Sequence, residues 1–348
     1  MISRTVHQPD GALIHLACVQ AELRAEDYVS EAAFAARVDG WMASIRRKVG
    51  QSGPLLVAFP EDIGTFMVFF GHGDILHGAG TLAEAIGALI RRHRGATMLQ
   101  RIRCRCGWVR ALSLVLGDAV ESSYRRVFSD VARRYRAFVV AGSAVLPAPD
   151  RPRTTFNISF VFGSNGEFLG WQPKTHLTPI EGPQQLDITP APLEQLRVVP
   201  TAIGNLGVAI CLDAFQDPVV DRLVAGGADV LVQPSANPGP WTPEQQADWK
   251  RSSWRAVRQW PQLRYALNPM MVGQLLGLRF EGQSSIASSL PELCKPGSYE
   301  ALEDEGGFVT IAPSATTEAV LVASVPSTRM AGLQAGPAGR LPSAGRRT

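Results

Sequence analysis

The sequence predicts an α/β fold in which helices cover two packed β-sheets. Short apolar runs rich in β-branched residues recur along the chain, which is typical of buried strands. Apolar residues at helical spacing separate several of these runs, and this alternation indicates a layered α/β arrangement. Neither an internal repeat nor a linker divides the sequence. We therefore predict one domain over residues 1–326, interrupted by an insertion at about 62–118, and a disordered tail over residues 327–348.

The first third of the chain begins the layer pattern. A strand is predicted over residues 12–20, and a helix follows whose apolar residues recur at positions 34, 38, 41 and 45, on one face. The sequence Gln-Ser-Gly-Pro at 51–54 ends that helix. The apolar strand over 55–59 comes next and leads directly to Glu61.

Further elements are predicted on both sides of position 200. A helical face at positions 124–135 precedes a strand over 138–145 and a hairpin over 156–171 that leads to Lys174. The run 206–213 reads as one buried strand carrying Cys211 at its edge. The later predictions are listed here in order: helix 217–226, strand 229–233, helix 242–260, and strands 265–276, 284–289, 306–313 and 318–325.

Glu61, Lys174 and Cys211 therefore lie at three strand ends, and together these residue types could form a catalytic site. A free thiol has a pKa of about 8.5, so a cation and a carboxylate base both help to form the nucleophilic thiolate. Lys174 could supply the cation and Glu61 the base. If the thiolate attacks a carbonyl or nitrile carbon, Lys174 and the N–H of Leu212 could stabilise the negative charge that develops on the substrate.

At these residues the sequence resembles the nitrilase, or carbon-nitrogen hydrolase, superfamily. The segments Phe-Pro-Glu at 59–61, Lys-Thr-His-Leu at 174–177 and Val-Ala-Ile-Cys-Leu-Asp at 208–213 resemble its three catalytic motifs. Pro-Ile-Glu-Gly at 179–182 resembles the form that a supporting glutamate takes in the amidases. Shorter similarities at 17–20, 227–237 and 280–284 extend the resemblance over roughly residues 11–325.

The resemblance implies a four-layer αββα sandwich and assembly into homodimers or larger oligomers. It also implies that Cys211 is the nucleophile, Glu61 the general base and acid, and Lys174 the oxyanion stabiliser. Glu181 would orient Lys174, although it could instead merely cap a loop. No cofactor or metal is required by this chemistry.

Two further residues are candidates for substrate binding. Asn237 and Trp241 follow the strand next to that of Cys211, so both should leave the sheet on the same side as the cysteine. Trp241 could stack against the acyl part of a substrate or could pack in the core, and the sequence leaves both open.

The insertion at about 62–118 departs from the family pattern and contains a predicted helix over 82–94. Because it leaves the catalytic end of a strand, it could form a lid or a wall of the substrate pocket. A surface elaboration or an oligomer contact is the alternative. Residues 91–110 hold seven arginines and no acidic residue, so contact with an anionic substrate, a membrane or a partner is possible although a membrane is not expected.

Composition restricts the classes of protein. A net charge of +3 over 348 residues does not indicate a nucleic-acid partner. Five cysteines, an odd number without a regular pattern, favour a reducing compartment. With no signal peptide evident and no long apolar stretch, we expect a cytoplasmic protein.

The sequence therefore predicts a cysteine-dependent hydrolase of a non-peptide amide that acts through a thioester. Nitrile hydrolysis, N-carbamoyl hydrolysis and acyl transfer to an amine use the same Glu-Lys-Cys residues and remain alternatives. An alternative of another class is a catalytically silent protein that binds a partner through the arginine-rich part of the insertion.

Overall fold

The computed structural model describes residues 13–327, except the side chain of Pro152. Residues 1–12 and residues 328–348, which include most of the predicted tail, lie outside the described residues. Fifteen strands are described: β1 (Leu13–Leu23), β2 (Leu55–Ala58), β3 (Ala137–Val140), β4 (Ala144–Ala148), β5 (Arg151–Phe162), β6 (Phe168–Pro173), β7 (Val198–Pro200), β8 (Asn205–Val208), β9 (Val230–Val232), β10 (Tyr265–Asn268), β11 (Met271–Leu275), β12 (Leu278–Phe280), β13 (Ser285–Ser288), β14 (Phe308–Ile311) and β15 (Ala319–Pro326).

Eight α-helices are described between these strands, together with several short 3-10 turns. They are α1 (Glu31–Val49), α2 (Gly73–Gly78), α3 (Leu82–Arg92), α4 (Arg94–Cys104), α5 (Trp108–Tyr135), α6 (Asp217–Ala225), α7 (Pro243–Trp249) and α8 (Ser253–Gln259). None of the helices among residues 13–327 is both long enough and apolar enough to span a bilayer.

The strands form two sheets. The first runs in the order β12-β11-β1-β2-β3-β5-β4, with β15 also paired to β1 and β6 to β5. The second runs in the order β14-β13-β10-β9-β8-β7. Within the first, β1, β2 and β3 are parallel, and within the second, β8, β9 and β10 are parallel. Parallel strands place their carboxyl ends at one edge, which is where side chains from different strands can meet.

Alternation along β1 shows how the layers pack. Leu16 and Cys18 belong to the apolar core between the two sheets, whereas Ala17 and Val19 belong to the core beneath α1 and α5. On the far side, the buried residues of α6 and α8 join the core of the second sheet. The predicted αββα sandwich is therefore confirmed.

Four predicted elements differ from the structure because a local break divides each of them. The strand predicted over 206–213 ends at Val208, and Cys211 begins a 3-10 turn. The strand over 138–145 is interrupted at Gly142, whose φ is 73°. The helix over 242–260 is α7 and α8, separated by a turn at 250–252. The strand over 265–276 is two strands, β10 and β11, that lie in different sheets on either side of Pro269, which has no N–H for a ladder.

The last two predicted strands, over 306–313 and 318–325, lie in different sheets. β14 pairs with β13 in the second sheet, and β15 pairs with β1 in the first. The helix predicted over 82–94 is α3, which ends at Arg92. The insertion has no boundary at 118, since α5 runs unbroken from Trp108 to Tyr135. The inserted segment is thus three short helices joined to the first turns of a long one.

Candidate active site

Glu61 is placed by the end of β2 and by a close backbone approach. Beyond β2 the Phe59 N–H still donates to Val140 O at 3.0 Å, and the chain then turns sharply at Asp62, whose φ is 60°. A Cβ at Gly142 would lie 2.1 Å from the carbonyl oxygen of Pro60. Only glycine lets the two loops approach this closely, so Gly142 fixes the position of Glu61.

Lys174 lies directly after β6 and is 1% exposed. Its backbone N–H donates to Asn157 O at 2.8 Å. Its Nζ donates to Glu61 Oε1 and to Glu181 Oε2, each at 2.7 Å. A buried ammonium requires paired acceptors of this kind, since an uncompensated charge in the interior is strongly unfavourable.

Asn157 links the two glutamates through its side-chain amide. Its Nδ2 donates to Glu61 Oε1 and to Glu181 Oε1, each at 3.0 Å. Glu181 Oε2 additionally accepts from the backbone N–H and the hydroxyl of Thr178, at 2.8 and 2.9 Å. Glu181 therefore makes both contacts that the sequence left as alternatives: it holds Lys174 and caps its own 3-10 turn.

Cys211 comes from the second sheet and has a left-handed backbone conformation, with φ of 48°. A non-glycine residue in this region stores strain, and such residues cluster at functional sites. The conformation is fixed by two bonds: Cys211 N donates to Pro234 O at 2.8 Å, and Gln233 Nε2 donates to Cys211 O at 3.1 Å. The thiol is buried, with Sγ 4.0 Å from Ala236 O.

The two sheets are joined beside these residues by Asp213. Its buried carboxylate accepts from Thr175 N at 3.0 Å, from Thr175 Oγ1 at 2.7 Å and from His176 N at 2.8 Å. Asp213 thus ties the segment after Lys174 to the turn that begins at Cys211. His176 also contacts Asp213, through Nδ1 at 3.1 Å.

Burial and charge push the pKa values of the two glutamates apart. Burial raises the pKa of Glu61 to about 8, although the Lys174 charge opposes this rise. Burial also favours the neutral form of Glu181, but Lys174 and the hydrogen bonds from Thr178 and Asn157 outweigh it and lower that pKa. Glu181 is therefore a permanent anion, while Glu61 can exchange a proton near neutral pH.

Burial and nearby charges also shift the pKa values of the other ionisable groups in the cluster. Burial raises the pKa of the Cys211 thiol well above its ordinary value, and the Glu61 carboxylate raises it further. Burial disfavours the charged form of Lys174, but the negative charges of Glu61, Cys211 and Glu181 outweigh that effect and raise its pKa. Burial also raises the pKa of Asp62 to about 6. The thiol is neutral at rest beside a cation and a carboxyl group that can accept its proton.

A cavity of about 90 Å³ reaches this cluster. Glu61, Lys174 and Glu181 line it together with Ala236, whose N–H donates to Glu61 Oε2 at 3.2 Å and whose carbonyl oxygen lies 4.0 Å from Cys211 Sγ. The opposite wall is apolar and comes mainly from the insertion. Its larger members are Phe66, Val68, Leu82, Ile86, Leu278 and Phe280.

The residues predicted to bind substrate have mixed outcomes. In the 3-10 turn that begins at Cys211, the first backbone hydrogen bond runs from Asp213 N to Ile210 O at 3.0 Å. The N–H of Leu212 lies one residue before that donor, at the start of the turn. Asn237 does not line the cavity, and its Nδ2 instead donates to Glu281 O at 3.1 Å.

Trp241 also lies outside the cavity lining. Its ring packs edge-on against Trp249 and Tyr299, with centroids 5.3 Å away in each pair, and its Nε1 donates to Gln283 at 3.1 Å. The structure therefore favours the packing alternative for Trp241.

Sequence reasoning missed Asn157, Asp213 and Gln233 as members of the site. Asn157 is a fully buried amide between the buried apolar residues Phe156 and Ile158, which is a signal that was present in the sequence. Asp213 lies two residues after Cys211 and is also fully buried. Among the described residues, no group of three or more His, Cys, Asp or Glu side chains could hold a metal ion.

A family model described as carbon-nitrogen hydrolase matches residues 15–303 of the chain. Deaminated glutathione amidase of Yersinia enterocolitica is 29% identical over 112 residues, covering 31% of this chain and 39% of that protein. The chloroplastic omega-amidase of Arabidopsis thaliana is 30% identical over 124 residues, covering 34% and 32% respectively. The chain thus spans about a third of the length of the curated relatives it matches.

Solved structures share the fold over nearly the whole chain. A carbon-nitrogen hydrolase from Helicobacter pylori has a TM-score of 0.60 at 17% identity, covering 91% of this chain and 90% of its own. An amidase variant from Nesterenkonia sp. AN1 in complex with acrylamide has a TM-score of 0.56 at 17% identity, covering 92% and 93%. Nit3 of Saccharomyces cerevisiae, described as a member of branch 10 of the nitrilase superfamily, has 0.55 at 15%, covering 90% of each.

Proposed function

The chain belongs to the carbon-nitrogen hydrolase family, and we propose that it hydrolyses a non-peptide amide through a thioester on Cys211. One observation carries this proposal: the Lys174 ammonium lies 2.7 Å from each of two buried carboxylates whose pKa values are shifted in opposite directions. Such a separation assigns one carboxyl group to proton transfer and leaves the other as a fixed charge.

In the first half of the reaction, the Glu61 carboxylate takes the proton of the Cys211 thiol, and the thiolate attacks the amide carbonyl carbon. The carbonyl π electrons move to oxygen, and Lys174 with the Leu212 N–H stabilises the resulting oxyanion. The oxyanion then collapses, the C–N bond breaks, and Glu61 returns its proton to the leaving amine. A thioester on Cys211 remains.

In the second half, Glu61 removes a proton from a water molecule, which attacks the thioester carbon. The C–S bond then breaks, the proton returns to the sulfur, and the carboxylic acid leaves. A Glu61 pKa of about 8 suits both roles, because a group whose pKa lies near the operating pH can both accept a proton and return it. Glu181 supports the cycle by keeping Lys174 charged and oriented.

The test is ammonia release from a panel of simple amides by the native protein and by Cys211→Ala. We expect turnover by the native protein and a loss of about 10⁴-fold or more in the variant. Cys294→Ala is the matched control, because this partly buried cysteine contacts Leu290 O and Ser288 O, away from the cluster. Equal turnover by native protein and Cys211→Ala would overturn the proposal.

Nitriles, N-carbamoyl compounds and acyl transfer to an amine share the Cys211 intermediate. The same panel extended to these substrates distinguishes them, since nitrile hydrolysis releases ammonia from a C≡N bond and transfer yields a new amide. Amide hydrolysis is preferred here because the two curated relatives that the chain matches are both named as amidases.

A second candidate function, the binding of an anionic partner, is supported by the surface of α4. Met98, Leu99, Ile102 and Trp108 are four of the six exposed large apolar side chains in the described chain. Five arginines lie among or beside them, and none forms an ion pair with a described carboxylate: Arg91, Arg94, Arg101, Arg103 and Arg105. Apolar and basic side chains together favour an anionic surface.

Co-sedimentation with phosphatidylglycerol vesicles tests this second candidate, with phosphatidylcholine vesicles as the comparison. If the surface binds anions, sedimentation depends on the anionic lipid, weakens with salt and is the same for Cys211→Ala. No difference between the two lipids would exclude an anionic membrane as the partner.

A further inference from the structure

We propose that the acyl part of the substrate is an uncharged apolar group of about six carbons, held in a second cavity that continues the first. This inference rests on the proposed amide hydrolysis at Cys211. It is carried by the shape and chemistry of two adjoining cavities between the insertion, α5 and the first sheet.

The two cavities adjoin and share four lining residues. The second cavity has a volume of about 50 Å³, and it shares Thr65, Val68, Ile86 and Leu186 with the cavity of about 90 Å³ that reaches Glu61 and Lys174. An apolar cavity of about 150 Å³ takes up benzene. The two volumes together approach that size, so there is room for an acyl group of about six carbons.

The second cavity offers no charge to a ligand. Its remaining wall is largely aliphatic, from Val109, Leu112, Leu116 and Val120 on α5 and from Val145 on β4. Burying aliphatic surface of this kind favours apolar ligands by about 25 cal/mol per Å².

The hydroxyl groups in the second cavity are already engaged by the protein. Thr65 Oγ1 donates to Asp62 Oδ1 at 2.7 Å and accepts from Val145 N at 3.1 Å. Ser113 Oγ donates to the backbone oxygen of Val109 at 3.1 Å. A polar ligand group would find these partners occupied, and its desolvation would remain uncompensated.

The first cavity also disfavours an anionic acyl group. Its one cation among the described lining residues is Lys174, which is already paired with two carboxylates. The other ionisable groups there are the acids Glu61, Asp62 and Glu181. A carboxylate on the substrate would meet repulsion without a counter-ion.

The experiment is a chain-length series of acetamide, butyramide and hexanamide, together with adipic acid monoamide, which places a carboxylate at the end of the same six carbons. We expect kcat/KM to rise about 15-fold from butyramide to hexanamide, since each of the two added methylenes contributes about fourfold when buried. The carboxylated compound should react at least tenfold more slowly than hexanamide.

Two variants test whether the acyl chain passes between the two cavities at the residues that they share. Val68→Phe narrows this passage and should lower the kcat/KM ratio of hexanamide to acetamide about tenfold. Leu116→Ala enlarges the far wall and should raise the ratio of octanamide to hexanamide. Ala96→Phe, at an exposed position of α4, is the control for an added ring in the insertion and should leave both ratios unchanged.

Binding of the same amides to Cys211→Ala, followed by calorimetry, separates this inference from the proposed function. Short amides hydrolysed as well as hexanamide, or adipic acid monoamide preferred, would overturn the inference and leave the hydrolysis intact. No hydrolysis but tighter binding of longer amides would overturn the hydrolysis and support the cavity assignment. Neither hydrolysis nor chain-length-dependent binding would overturn both.

Discussion

The cavity beside Cys211 has two walls that are built in different ways. The charged wall consists of Glu61, Lys174 and Glu181, in which each polar atom has a named partner at 2.7–3.2 Å. The apolar wall, from the insertion and α5, is held only by non-directional packing. One wall is specified atom by atom, and the other is specified only by volume and polarity.

The difference has consequences for how each wall responds to change. A buried ion pair that loses one partner leaves an uncompensated charge, which costs about 3–5 kcal/mol. An aliphatic side chain that is shortened leaves a small void, and the neighbouring side chains can partly fill it. We therefore expect substitutions in the charged wall to affect kcat and those in the apolar wall to affect the choice of substrate.

The largest effect is expected for Lys174→Met, which removes the cation and leaves both glutamates without their shared partner. Loss of oxyanion stabilisation alone lowers kcat about 10²–10³-fold, and the displaced glutamates add to it. Amide turnover and thermal unfolding of the same sample measure both parts. Turnover within tenfold of the native rate would mean that the charged wall does not carry the reaction.

Asn157→Leu tests the charged wall more gently, because it leaves the ion pairs and removes the amide that bridges the two glutamates. We expect kcat to fall about 10- to 100-fold, as for other groups that orient a reacting residue. A rise in KM with unchanged kcat would instead indicate a role in binding. Asn165→Leu in the exposed hairpin turn is a matched control.

The pH profile sharpens the assignment of Glu61 as the proton-transfer group. Because burial raises its pKa to about 8 and the reaction needs the carboxylate, kcat/KM should rise about tenfold per pH unit below 8 and level off above it. The Asp62 carboxylate raises the pKa of Glu61, so Asp62→Asn should move the midpoint to lower pH. A midpoint near 4.5 in the native protein would contradict the assignment.

The smallest effect is expected in the apolar wall, for Ile86→Ala. The residue is partly buried on α3 and borders both cavities, so its loss removes contacts with the acyl group and little else. We expect KM for hexanamide to rise several-fold with kcat within a factor of about two. A collapse of kcat would show that the two walls are not separable.

The same contrast explains what the sequence could predict. Glu61 and Lys174 follow strand ends, and Glu181 lies in a short motif just after Lys174, so their convergence could be predicted; the structure brings both glutamates within hydrogen-bond distance of Lys174. The αββα layers could also be predicted, because helical and strand periodicities alternate along the chain.

The remainder depends on tertiary contacts that leave weak local signals. In the sequence, residues 265–276 look like one strand, although the chain breaks at Pro269 and places β10 and β11 in different sheets. Likewise, Trp241 could be assigned to the core only after Trp249 and Tyr299 were seen against it. The apolar wall could not be predicted from the sequence, because many aliphatic sequences can fill the same volume.

Intact-protein mass spectrometry of samples quenched during hexanamide turnover tests the central claim most directly. The account predicts a native species heavier by the hexanoyl group, mapped to Cys211 by peptide analysis, and no such species in Cys211→Ala. Sustained hydrolysis by Cys211→Ala, or an acyl group carried on another residue, would contradict it.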